Sequence, residues 1–185
     1  ELSWSEGSKR LFRRHRTRYG GYVVHLGVAL AAVSITASMA HKVEREFTLK
    51  VGESFDIGRF KLKLESVEPQ ENENYLADIA NITVLSRTSG EKIADMKPEK
   101  RLYIKKQEPT TEVALRITPR EDLYIAFAGI DPETERVSFK VFINPLQMWL
   151  WVGGAIILFG TGIVLVPEKR RSRVLVTNSV AGEVV

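Results

Sequence analysis

The sequence predicts a membrane protein fragment of the α+β class, with two transmembrane helices flanking a mostly antiparallel β barrel or sandwich-like domain. Three observations predict it. Two uncharged, apolar runs stand far apart in a chain of 185 residues, at 22–40 and 146–166. Basic residues crowd the outer flank of each run, from Lys9 to Arg18 before the first and from Lys169 to Arg173 after the second. Between the runs, apolar and polar residues alternate with the period of two that belongs to half-buried strands.

Residues 1–19 are polar and basic, with Trp4, Leu11 and Phe12 as apolar exceptions, and read as a cytoplasmic loop. Residues 20–41 form the first predicted span. Its 19 uncharged residues at 22–40 make about 28 Å of helix at about 1.5 Å per residue, enough to cross a hydrocarbon core. Residues 42–145 form the β-rich domain. Its predicted inward positions are Phe47, Leu49 and Val51; Phe60, Leu62 and Leu64; Val113, Leu115 and Ile117; Leu123, Ile125 and Phe127; and Val137, Phe139, Val141 and Ile143. The stretch 75–85 is apolar enough for a further strand, but its inward face is not decided by the pattern. Turn residues fall between these segments at Gly52-Glu53, Asp56-Ile57-Gly58, Ser89-Gly90 and Asp131-Pro132. Residues 146–166 are the second span, with Trp149 and Trp151 at the depth of an aromatic belt. Residues 167–185 are a basic cytoplasmic tail with no amphipathic pattern, expected to end in disorder.

Charge sets the orientation. Residues 41–145 hold 17 Lys plus Arg against 19 Asp plus Glu, so the flanks carry the whole excess behind the formal net charge of +4. Positive-inside bias places both termini in the cytoplasm and the domain outside, which in a bacterium means a multi-pass inner-membrane protein with a periplasmic domain. Basic runs at membrane edges are explained by topology and contact with membrane lipid, so no nucleic-acid partner is expected. With no cysteine, the outer domain has no disulfides and is not a thiol oxidoreductase. The basic stretch enters the first span without a small-residue cleavage site, unlike a secretory signal peptide. Starting at Glu1, the chain reads as the carboxy-terminal part of something longer.

Candidate chemistry is concentrated in one histidine. His15 lies in the basic cluster and His41 at a span boundary, each explained by its surroundings. His25 lies about one turn inside the first apolar run, where an imidazole without partners is unfavourable. Gly21, Ala29 and Ala32 lie on the same helical side and leave a shallow trough beside the ring. Two readings stand: an axial ligand to the iron of a flat macrocycle lying in that trough, or a packed polar residue hydrogen-bonded between helices. In the second span, Gly153 and Gly160 lie seven apart on one face and suit close helix packing without chemistry. Glu112, Arg116, Arg120, Glu121 and Asp122 read as a solvated strand surface. No nucleophile elbow, phosphate-binding glycine loop or zinc spacing is present, so the catalytic residues are unassigned.

Several blocks, taken together, match a known family. They are Arg18-Tyr19-Gly20-Gly21-Tyr22-Val23-Val24-His25-Leu26-Gly27; Pro98-Glu99-Lys100-Arg101; Pro109-Thr110-Thr111-Glu112-Val113-Ala114-Leu115-Arg116; Arg120-Glu121-Asp122-Leu123-Tyr124; and Asn144-Pro145-Leu146 before a span holding Trp149, Trp151, Gly153 and Gly154. In this order they resemble the carboxy-terminal part of the CcmF family, the haem lyase component of System I cytochrome c-type biogenesis. The resemblance implies an inner-membrane protein that takes haem from a haem chaperone and attaches it to apocytochrome c, alongside other cytochrome c maturation subunits. It also implies a haem b in the membrane bundle, with His25 matching the later of its two axial ligands. The family's tryptophan-rich motif, its outward histidines and the other haem b ligand lie upstream of the matched region and are not in this chain. A partner half, or a missing amino-terminal region of the same protein, is therefore expected to complete the site, and this portion alone is not expected to be a complete lyase. The alternatives are a non-enzymatic, membrane-anchored periplasmic scaffold of an envelope complex, and a b-type cytochrome electron-transfer subunit.

Overall fold

The computed structural model describes residues 15–105 and 107–166. The basic residues before 15, and the tail from 167 with its expected disorder, lie outside the described residues. The order of elements is α1 (Arg16–His41), β1 (Val43–Leu49), β2 (Ser54–Ile57), β3 (Phe60–Glu71), β4 (Tyr75–Ser86), β5 (Lys92–Met96), β6 (Glu99–Tyr103), β7 (Glu108–Glu112), β8 (Ala114–Arg116), β9 (Glu121–Ile130), β10 (Val137–Pro145) and α2 (Gln147–Leu165). Two helices, each long and apolar enough to cross a membrane, thus flank an all-antiparallel sandwich. One sheet runs β1-β10-β9-β8 and the other β2-β3-β4-β6-β7, with β5 also paired to β4.

The core is built where the alternation is strict. Phe60, Leu62 and Leu64 of β3 face Leu123, Ile125 and Phe127 of β9 and Val137, Phe139, Val141 and Ile143 of β10, and all are buried. Phe47 of β1 stacks on Phe55 of β2 at a centroid distance of 4.0 Å and closes the seam between the sheets. β4 turns Ala80, Ile82 and Val84 inward. A bulge between Leu64 and Ser66 lets β3 keep step with it.

Four expected inward positions, Val51 after β1 and Val113, Leu115 and Ile117 around β8, are corrected. Val51 is exposed because β1 ends at Leu49 and the chain turns at Gly52, whose φ of +90° suits glycine. β8 has the opposite phase to the expected one. Its register pairs Ala114 with Ile125 and Arg116 with Leu123, so Ala114 packs on the core while Val113, Leu115 and Ile117 face outward and are exposed.

The helices pack antiparallel through small residues. A Cβ added to Gly27 would lie 2.8 Å from the Gly153 carbonyl oxygen, and one added to Gly160 would lie 2.8 Å from the Val24 backbone nitrogen. Gly20 meets Gly160 and Val164 in the same way. Gly20, Gly27 and Ser34 recur at seven residues along α1, and all three are buried. Such a stripe lets two backbones approach where apolar area alone gives no preference over lipid. Enlarging Gly27 to Leu should force the helices apart and lower the thermal stability of the assembled protein in membranes or detergent. Gly21→Ala and Gly154→Ala, where an added Cβ meets nothing within 4 Å, should be neutral or stabilising.

Candidate functional site

Close packing of α1 on α2 decides which way every other α1 side chain points. The contact stripe contains Gly20, Val24, Gly27, Ala31 and Ser34. At 3.6 residues per turn, His25 lies about 140° around the helix from the middle of that stripe. Its side chain is accordingly exposed, on a face shared with Ala29, Ala32 and Thr36. α2 is therefore not the partner that satisfies the imidazole. The ring instead bonds to its own helix, with Nδ1 2.7 Å from the Gly21 carbonyl oxygen. A carbonyl only accepts, so Nδ1 carries the hydrogen, and in the neutral form of such a ring the lone pair is on Nε2.

This is the arrangement a metal-ligating histidine needs. One ring nitrogen is held by a backbone carbonyl that fixes tautomer and orientation, and the other is left as a donor. The small side chains expected beside the ring lie on the same exposed side, and Gly21 has open space where a Cβ would stand. These residues fit a flat macrocycle ligated through His25. His41 makes the same type of bond to the Ala37 carbonyl at a longer 3.3 Å, so the bond alone does not distinguish His25. Its position does: His41 ends the helix, whereas His25 lies within the apolar run, about 24 Å away along the axis. No group of three or more metal-ligating side chains gathers among the described residues.

Polar groups tie the helices to each other and, through Leu146 and Trp149, to the sandwich. The Ser34 hydroxyl donates to the Leu146 carbonyl at 2.7 Å and the Ser38 hydroxyl to Gln147 Oε1 at 3.0 Å. Leu146, with φ of 56°, turns β10 directly into α2, and its N–H donates to the Arg120 carbonyl. The Trp149 indole N–H donates to the Pro119 carbonyl at 2.8 Å. Arg120, Glu121 and Asp122 therefore lie at the joint between helix and domain. Glu121 is ion-paired with Arg59, and Asp122 is buried, accepting a hydrogen bond from the Thr118 N–H. The solvated-surface reading fails for these two acids, and burial pushes the Asp122 carboxyl above its ordinary range.

Three further charged residues of the quoted blocks, Glu99, Arg101 and Glu112, meet across adjacent strands. β6 and β7 pair Glu99 with Glu112, and the Arg101 guanidinium reaches both carboxylates, at 2.8 and 3.4 Å, while lying over the Tyr75 ring. One cation neutralises two facing acids that would otherwise repel. The cluster holds β6 against β7, and its pairing assigns it a structural role.

Comparison with known proteins agrees with this architecture. Residues 40–145 match the family described as CcmF C-terminal beta-sandwich. The cytochrome c-type biogenesis protein CcmF of Pseudomonas aeruginosa is 32% identical over 165 residues, covering 89% of this chain and 24% of the relative. That of Haemophilus influenzae is 31% identical over 173 residues, covering 94% and 26%. A solved structure of the cytochrome c haem lyase CcmF shares the fold with a TM-score of 0.71 at 24% identity, over 84% of this chain and 26% of that one. The chain thus spans about a quarter of the length of these proteins.

The buried Asp122 generates a pH prediction. A carboxyl whose folded pKa is raised binds more protons in the folded than in the unfolded state, so its contribution to stability falls as pH rises through that window. Asp122→Asn keeps an acceptor for the Thr118 N–H and removes the buried charge. The melting temperature of the variant minus that of the parent should be positive at neutral pH and should shrink as pH falls through the raised pKa. A difference independent of pH would show that burial of this charge does not set the dependence.

Proposed function

Since the chain belongs to the CcmF family and corresponds to its carboxy-terminal part, we propose that it is the carboxy-terminal portion of a haem lyase that attaches haem to apocytochrome c, with His25 as one axial ligand to a membrane haem b. The observation that carries the ligand assignment is the Nδ1–H bond to the Gly21 carbonyl, on a helix face turned away from α2. In this reading α1 and α2 span the bacterial inner membrane, the sandwich lies in the periplasm, and both termini are cytoplasmic, as the basic flanks of an acidic middle support. The spans would be 20–41 and 146–166, with the outer domain at 42–145.

When bound, haem iron supplies one-electron chemistry. His25 holds its Nε2 lone pair in a fixed direction through Gly21, and Ala29 and Ala32 keep bulk away from the ring. The second ligand and the lyase chemistry come from the amino-terminal region or a partner half. The haem chaperone, apocytochrome c and the other maturation subunits meet that larger assembly. A membrane-anchored scaffold would need no His25 at all.

Two experiments test this reading in the complete protein. His25→Ala should abolish or strongly reduce the b-type Soret band in membranes, and His25→Gly should regain part of it with added imidazole. Ala29→Leu should impair haem loading by filling the open side. Full haem content and normal cytochrome c maturation in His25→Ala would remove the assignment. Separately, a reporter fused after Val185 should show cytoplasmic activity, and one inserted in the β1–β2 turn at Gly52 should show periplasmic activity.

A further inference from the structure

The outward phase of β8 leaves an apolar stripe unexplained by the core. Leu115 in this edge strand and Val113 and Ile117 on either side of it alternate outward and are exposed, Ile117 at 54%. After β8 ends at Arg116 the chain forms a short loop, 117–120, before β9 begins.

That loop is held at a definite height beside the helices. The Arg120 carbonyl accepts the Leu146 N–H at 3.0 Å and the Pro119 carbonyl accepts the Trp149 indole, so the loop is bonded to the first turn of α2 and the residue preceding it. Ser34 bonds the Leu146 carbonyl, which places Ser34 at the same level on α1. α1 continues for seven residues beyond Ser34 to His41, about 10 Å further along its axis. This overhang carries Ile35 and Met39, the latter 78% exposed. A loop level with Ser34 therefore lies below the top of the apolar surface of α1.

Charge points the same way. Arg120 is exposed and makes no ion pair among the described residues, while its neighbours Glu121 and Asp122 are occupied by Arg59 and Thr118. Trp149, with its N–H already satisfied by Pro119, presents a partly exposed ring beside the loop. An apolar side chain, an unpaired guanidinium and an indole at one level form the combination that suits a bilayer interface. We propose that the 117–120 loop is a lipid-facing anchor seating the β domain on the outer leaflet, with Ile117 in the acyl boundary and Arg120 on lipid phosphate. The proposal rests on the reading of α1 and α2 as membrane spans, and it adds a third contact that fixes the tilt of the domain.

The test uses nitroxide labels in the full-length protein, with any cysteine outside this cysteine-free stretch replaced, reconstituted in vesicles of phosphatidylethanolamine and phosphatidylglycerol. Single labels at Ile117→Cys, Val113→Cys, Val51→Cys and Leu158→Cys are compared for collision with oxygen, which partitions into lipid, and with a water-soluble nickel chelate. The oxygen-to-nickel ratio at Ile117 should exceed that at Val51 several-fold and fall toward Val113. Adding Arg120→Glu should lower it at Ile117 and leave Leu158 unchanged. A ratio at Ile117 equal to that at Val51, with Leu158 in lipid, overturns the anchor and leaves the spans intact. Protection of Ile117 from both reagents overturns it in favour of a covering protein segment. Water exposure at Leu158 overturns the membrane reading itself.

Discussion

At Gly27 and Gly153 the two helix backbones approach until a methyl group would meet the facing carbonyl oxygen, and the rest of the structure depends on that contact. It sets the rotation of α1, because only one face carries the small residues that allow it. It also sets the axial register, since Gly20 with Gly160, Gly27 with Gly153 and Ser34 with Leu146 form a single antiparallel series. With rotation fixed, His25 must stand on the free face. With register fixed, the last two turns of α1 lie beside the start of α2, and the strands that leave the helices can pair.

The sandwich converts this helix contact into sheet structure with almost no linker. α1 ends at His41 and β1 begins at Val43, while β10 ends at Pro145 and α2 begins at Gln147. β1 pairs with β10 from Val43 opposite Ile143 onward, so the two chains leaving the helices enter one ladder at once. A sheet grown directly from a helix pair has little freedom to tilt. Bonds from the Leu146 N–H and the Trp149 indole to the Arg120 and Pro119 carbonyls restrain what remains, while those of Ser34 and Ser38 lock α1 to the start of α2. They also satisfy polar groups that would be unfavourable if unpaired at the margin of an apolar region.

Legibility in the sequence followed how strictly residues obeyed one physical role. β3, β9 and β10 were readable because each carries at least three large apolar side chains at alternate positions, over 60–64, 123–127 and 137–143, and the core consists mainly of them. β4 was not, because apolar residues occupy both phases; Ala77 is buried on one side of the strand while Ala80, Ile82 and Val84 are buried on the other. β8 was misread because the small Ala114 takes the inward place and larger apolar residues point out. Period two locates a strand but does not choose its face when the outer side has its own use for apolar groups. Asp122 was hidden by its charged neighbours Arg120 and Glu121. Gly153 and Gly160 were readable as packing residues, whereas their counterparts Gly20 and Gly27 do not stand out in an apolar run that also holds Gly21 on another face.

The free face of α1 carries the synthesis one step further. On the far side of α1 the large exposed apolar residues Tyr22, Leu26, Val33 and Met39 flank a narrower strip of Ala29, Ala32, Thr36 and the imidazole, with the Thr36 hydroxyl bonded back to the Ala32 carbonyl. Small residues on both faces let backbones or a flat ligand come close on both, and a ring with one unsatisfied nitrogen gains most where a partner meets it. In the proposed reading the glycine stripe packs on α2, and the small residues beside His25 leave room on the opposite side of α1 for the group that meets Nε2.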